Sequence, residues 1–167
     1  MKNKVYFCAG IGAIIIIQTT HFDFWSIYNI KPDLILLATC LVGLSRGSAS
    51  GITFGFFVGL IQDAFSSGLF GAQSFSKAIW GYVSGRSVLK LDPRYPLVQL
   101  ILISLFSLGD ALLMHMLHSI FIDSAPLSKN RLFLFTVLGQ TAYNLVLWPL
   151  IYHLGNTFFI LQQEAKR

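Results

Sequence analysis

Apolar residues run in long blocks along this chain, and polar residues gather between the blocks. Ile14 to Ile17 and Leu34 to Leu37 are unbroken apolar runs. A lipid-facing β-strand would instead alternate apolar and polar positions. Cut at their polar breaks, the blocks predict six helices, at about residues 5–20, 33–44, 51–65, 72–89, 97–121 and 131–155. Between the first two lies an aromatic stretch, 21–29, with Phe22, Phe24, Trp25 and Tyr28. Rings of this kind prefer the headgroup depth of a bilayer. Pro32 suits a first helical turn, where its missing N–H costs nothing. A polar turn is expected at 45–50, a basic loop with two prolines at 86–96, and a second polar loop at 122–130. Pro149 is expected to bend the last helix, with residues 157–161 extending it before a charged tail.

Composition says what solvent these helices meet. The chain is 54% hydrophobic and 11% charged, with mean hydropathy +0.67; a soluble domain is about 25% charged. Too little polar surface exists to cover a water-facing globule. A bilayer core takes about 20 residues per helix, so 167 residues make a single transmembrane domain, an all-α integral membrane protein of six spans. The net charge of +5 comes from scattered Lys and Arg that build no basic face, so nucleic acid is not an expected partner. Cys8 and Cys40 fall inside apolar runs and read as buried thiols. Lys2 and Lys4 before an apolar run resemble a secretory signal, but no small-x-small cleavage site follows, so a retained first helix is expected. Basic residues collect on one side of the six-span layout: Lys2, Lys4, Arg46, Arg86, Lys90, Arg94, Lys166 and Arg167, against Lys31, Lys129 and Arg131. Both termini are therefore expected in the cytoplasm.

Candidate chemistry concentrates in the polar positions inside these blocks. Gly51, Gly55, Gly59 and Asp63 recur every four residues and share one face of the third predicted helix. The fourth offers Ser74, Ala78, Gly81 and Gly85. Small residues at this spacing let helices approach closely in lipid, as packing within the bundle or as a dock for a partner's helix. Asp63 and Lys77 are charges inside apolar helices, and such charges usually face the bundle interior and pair. Their estimated depths match, so the two are expected in direct or water-bridged contact. Asp110 lies deep in the fifth helix, and Gln140 and Asn144 lie one turn apart in the sixth. Together the five predict an inward polar cluster, either glue between helices or the lining of a cavity.

Enzyme signatures are weak. Gly43-Leu44-Ser45-Arg46-Gly47 has the letters of a nucleophile elbow, but on a lipid-facing helix rather than at a strand-to-helix turn. His115 and His118 share a face that Asp110 fits poorly, so no metal centre is expected. His153 reads as interfacial. No phosphate-cradling loop or paired carboxylate motif is present. The chain reads as a non-enzyme without a cofactor.

The segment 31–86 carries an ordered set of features: Pro32-Asp33, Arg46-Gly47, Gly55 and Gly59 ahead of Asp63, Gly68-Leu69-Phe70-Gly71, and Gly81-Tyr82-Val83-Ser84-Gly85-Arg86. In this it resembles the MreD family of rod-shape-determining proteins. The motifs cover about a third of the chain, and none falls in the last two predicted helices. The resemblance implies a non-enzymatic scaffold of the cell-elongation machinery in the inner membrane. Its implied partner is the single-span protein MreC and, through it, MreB, RodA and penicillin-binding protein 2. It also implies the fold of the S-components of energy-coupling-factor transporters. That fold raises an alternative function, a membrane component that binds a vitamin-type small molecule.

Overall fold

The computed structural model describes residues 31–66, 68–89, 91–92, 95–121 and 131–164. The predicted first helix, the aromatic stretch after it, Cys8 and the 122–130 loop lie outside these residues. The described part is all helical: α1 Leu34–Arg46, α2 Ser48–Phe65, α3 Ala72–Ser87, α4 Pro96–Phe121 and α5 Arg131–Glu164.

Helix α1 is short and apolar on every side, which is the pattern of a helix enclosed by others. Nine of its 13 residues are buried, Cys40 among them as a free thiol. It is therefore not the lipid-facing helix expected from its sequence. Asp33 is its N-cap, accepting from the Leu36 N–H at 2.8 Å. Pro32 consequently stands one residue before the cap and not in the first turn. The hydroxyl of Thr39 donates to the Ile35 carbonyl at 2.8 Å, which satisfies a polar group in the middle of the core.

The polar turn expected at 45–50 shrinks to one residue. Gly47 alone leaves the helical region, with φ 85° and ψ 174°. That conformation is open almost only to glycine, and it folds α2 back against α1. The next connection ends at Gly71, which has φ 94° in the left-handed region, and α3 starts immediately after it.

Helices α2 and α3 pack backbone to backbone. A Cβ on Gly51 would strike the Gly81 carbonyl, one on Gly55 the Lys77 carbonyl, and one on Gly59 the Ser74 Cα at 2.5 Å. On α3, a Cβ on Gly81 would meet Gly51 and one on Gly85 would meet Ser48. As one residue number rises the other falls, so the helices are antiparallel with Gly59 opposite Ser74 and Gly55 opposite Lys77. Gly43 of α1 meets the same surface through Ser84 and the Gly81 carbonyl.

Helices α4 and α5 close the other side of α1. Leu36, Leu37, Cys40, Leu41 and Leu44 pack with Leu102, Ile103 and Phe106 of α4 and Trp148 of α5. The Trp148 indole N–H donates to Gln99 Oε1 at 3.0 Å, so the ring is buried with its one donor satisfied. Helix α5 runs past residue 155 through the 157–161 extension expected from its sequence and continues to Glu164, with Pro149 inside it. A proline removes one backbone donor, and long apolar helices tolerate that loss where neighbours re-satisfy the freed carbonyl.

The outward surfaces are apolar. Phe56, Phe57, Ile61 and Phe65 on α2, Ile101 and Leu105 on α4, and Leu134, Phe135 and Val146 on α5 are all exposed. Patches of that extent on one chain mark contact with lipid or protein. Among the described residues, two helical stretches, Pro96–Phe121 and Leu134–His153, are long and apolar enough to cross a membrane.

Candidate functional site

A buried ionic network occupies the place where α1, α3, α4 and α5 meet. Lys77 reaches it from α3 and is fully buried. Its Nζ donates to Asp33 Oδ2 at 2.5 Å and to Asp110 at 3.0 Å (Oδ2) and 3.2 Å (Oδ1). Asp33 and Asp110 are 7% and 2% exposed, so this pairing takes place away from water. The Ser76 hydroxyl donates to Asp110 Oδ1. Asn144 of α5 uses both ends of its amide. Its Oδ1 accepts from the Asp33 N–H at 2.9 Å, and its Nδ2 donates to Ser107 Oγ at 2.8 Å. Every element around α1's first turn is thus tied to Asp33, to Asp110 or to both.

Local structure explains the placement of Asp33. Its Oδ1 caps α1, which fixes the side chain against the helix end and leaves Oδ2 facing Lys77. Helix α1 has 13 residues, about 20 Å at ~1.5 Å per residue, which is shorter than the ~30 Å hydrocarbon core. Its N-terminus is enclosed by the protein, with Asp33 7% exposed. A charged cap there needs a buried partner, and Lys77 supplies it.

Asp63 does not join this network, contrary to the expectation that it pairs with Lys77. Its Oδ1 accepts from the Gln73 N–H at 3.0 Å, and its Oδ2 from the Ser74 N–H at 3.0 Å and the Ser74 hydroxyl at 2.6 Å. It caps the start of α3 across the turn, where the first N–H groups of a helix have no internal acceptor and a negative charge is favoured. The helix register gives the reason. Gly55 lies opposite Lys77, and Gly55 is eight residues from Asp63, or ~12 Å along the axis. Depth counted from the turn brought the two charges too close.

Of the expected polar cluster, Lys77, Asp110 and Asn144 converge, and Asp63 lies about two turns away at the end of the α2–α3 contact next to the turn. Gln140 lines a cavity beside the triad, with Asp33, Asp110 and Gln73 on other parts of its wall. Asp33, Ser76 and Ser107 were not expected in the cluster. A missed signal for Asp33 was the shortness of α1. The two serines look like ordinary small residues in the sequence, and only the fold reveals their partners.

Ser45 is helical, and its hydroxyl donates to the Leu41 carbonyl at 2.6 Å. His115 lines the cavity, and His153 is exposed. Among the described residues, no group of three His, Cys, Asp or Glu side chains is placed to hold a metal ion. What the site does physically is hold four helices together through charge-assisted hydrogen bonds in a low-dielectric interior.

Compared with protein-family models, residues 2–158 match the rod shape-determining protein MreD. The chain belongs to the MreD family. Membership spans essentially the whole chain, including α4 and most of α5, where the sequence offered no matching motif. It implies a role in rod shape determination, as a component of that machinery in a membrane-associated family. Neither the curated proteins nor the solved structures contain a match to the chain. Within this family member, the ionic network joins α1, α3, α4 and α5 in the interior.

Proposed function

We propose that this protein is a non-enzymatic, multi-pass scaffold of the cell-elongation machinery in the inner membrane, with both termini in the cytoplasm. In this reading it binds the transmembrane helix of MreC. Through MreC it connects the MreB filament to peptidoglycan synthesis by RodA and penicillin-binding protein 2. The observation that carries the reading, beside family membership, is how the polar and small residues are used. Lys77, Asp33, Asp110 and Asn144 are occupied with one another. The glycines of α2 and α3 are occupied in holding those two helices together. What remains for a partner is apolar, above all the face of α2 with Phe56, Phe57 and Phe65. A single-span helix recognises such a face by shape and van der Waals contact.

The proposal keeps six spans and an S-component-like topology, with the segment before residue 31 supplying the first span. The experiment is purification of the full chain from its native membrane in mild detergent, with mass spectrometric identification of bound protein and small molecules. A stoichiometric single-span partner is expected. A stoichiometric vitamin-sized ligand without a protein partner would support the transporter-component alternative and overturn the scaffold.

A further inference from the structure

The described chain opens at Lys31, and residues 31–33 are not helical. Pro32 and Asp33 are buried, so the chain is already inside the protein where α1 begins. Two neighbours give the depth of that point. The Asp33 N–H donates to Asn144 Oδ1 at 2.9 Å, and Asn144 stands at the middle of the membrane-length stretch Leu134–His153. Asp110, joined to Asp33 through Lys77, lies 11 residues before the end of α4, or ~16 Å. Helix α5 begins 13 residues before Asn144, or ~20 Å away at the same end. The chain leading into Asp33 has to rise by about that distance to reach the ends of α4 and α5. Lipid is a poor path for it. A residue before proline is turned away from the helical conformation, and non-helical backbone at membrane depth is tolerated only where protein buries it or where it lines a cavity.

A cavity of about 360 Å3 opens at this point and extends in the required direction. Asp33 stands in its wall with Gln73 of α3, Ala111 and Met114 of α4, and Val137 and Gln140 of α5. These positions on α4 and α5 lie between the ion triad and the helix ends that the chain must reach. Gln73 and Met114 also line a smaller cavity of about 110 Å3, which continues to the turn before α3. On the opposite side the way is closed, because α1, α2 and α3 meet there through their glycines.

We infer that residues 21–30 of this chain run outward through the cavity and close it from within. Ten residues reach at most about 36 Å when extended, which covers the rise with slack. Tyr28 is five residues before Asp33, within about 18 Å of it, and belongs inside the cavity with Trp25. Rings with one polar tip suit a wall that mixes amide and carboxyl groups with methyl groups. Phe22 reaches the level of the helix ends, where headgroups lie. The space beside the triad is therefore an internal packing site for an aromatic segment, and a small molecule could enter only by displacing it. The inference does not rest on which protein the outer face of α2 binds.

The test is disulfide cross-linking of the full chain in nanodiscs. All variants carry Cys8→Ala, and Cys40 stays in place because it is fully buried. Tyr28→Cys is paired in turn with Met114→Cys, with Gln140→Cys, and with Phe57→Cys on the exposed face of α2. A disulfide needs the two Cα atoms within about 7 Å. After oxidation with copper phenanthroline, peptide mass spectrometry is expected to find at least one cavity pair bonded in most chains and the Phe57 pair unbonded. A second measurement reads closure. Ala111→Cys should react slowly with a membrane-impermeant maleimide, and Trp25→Gly with Tyr28→Gly should raise its rate at least tenfold. The cross-links require no change of packing at Trp25, so they decide the matter if the glycine variant folds poorly. Two unbonded cavity pairs, equal bonding of the Phe57 pair, or an Ala111→Cys rate that the glycine variant leaves unchanged would overturn the inference.

Discussion

Lys77→Met is the substitution with the largest expected consequence. The lysine is fully buried and lies 2.5 Å from Asp33 and 3.0 Å from Asp110. Methionine fills much of the same volume, so the change removes charge and hydrogen bonds with little loss of packing. Removing one partner of a buried ion pair costs about 3–5 kcal/mol, because the other charge is left uncompensated. Here two carboxylates lose the same cation. Uptake of a proton by one of them limits the damage, so the upper part of that range, about 4–5 kcal/mol, is expected. A domain is stable by only about 5–15 kcal/mol, so the variant should be close to unfolding. The assay is equilibrium unfolding of the purified chain in mixed micelles by increasing fractions of a denaturing detergent, followed by tryptophan fluorescence. The neutral triple variant, Asp33→Asn with Lys77→Met and Asp110→Asn, separates charge from shape. The asparagines can still cap α1 and accept from Ser76, and no charge is left buried. It should recover at least half of the lost stability. A Lys77→Met variant within about 1 kcal/mol of wild type, or a triple variant no better than the single one, would refute the reasoning about uncompensated charge.

Further outcomes follow from the same geometry. Asp63→Ala removes the acceptor of three hydrogen bonds at the start of α3, and a loss of about 2–4 kcal/mol is expected in the same unfolding assay, with Asp63→Asn losing less. Gly47→Ala meets no atom within 4 Å but must hold φ at 85°, so it should cost about 1–3 kcal/mol through backbone strain alone. Gly55→Ala would push a methyl group into the Lys77 carbonyl and should cost about 1–3 kcal/mol by forcing α2 and α3 apart, read as a lower melting temperature. Phe57→Ala on the exposed face of α2 should leave the melting temperature within about 2 °C while reducing recovery of the proposed single-span partner at least threefold, as surface changes away from such features cost under about 0.5 kcal/mol.

Much of the helical layout was legible because it depends on local pattern. The helix expected at 97–121 follows directly from a nearly unbroken apolar block and is found at Pro96–Phe121, and the one expected at 72–89 is found at Ala72–Ser87. The glycine spacing also pointed to a close helix contact, since small residues every four positions have few other uses in lipid. What stayed hidden depends on register and enclosure. The 45–50 segment looks polar enough for a loop, yet one glycine at φ 85° makes the whole turn. Asp63 and Lys77 could be placed only to within a turn or two by counting from the helix ends. The packed glycines then set them about two turns apart. Asp33 reads as a cap and is one. Its second role depends on α3, α4 and α5 enclosing the start of α1, which no local pattern encodes. Asn144 and Gln140 are one turn apart on α5. Only Asn144 reaches Asp33 and Ser107, while Gln140 faces the cavity. No periodicity separates those two fates.

The partner of Lys77 is the point on which the account of the site depends, and coupling free energies from double-mutant cycles measure it. Lys77→Met combined in turn with Asp33→Asn, Asp110→Asn and Asp63→Asn gives three values from one unfolding assay. The account predicts coupling of about 1.5–3 kcal/mol with Asp33 and with Asp110, and additivity within about 0.5 kcal/mol with Asp63. Strong coupling to Asp63, with additivity at Asp33 and Asp110, would contradict it.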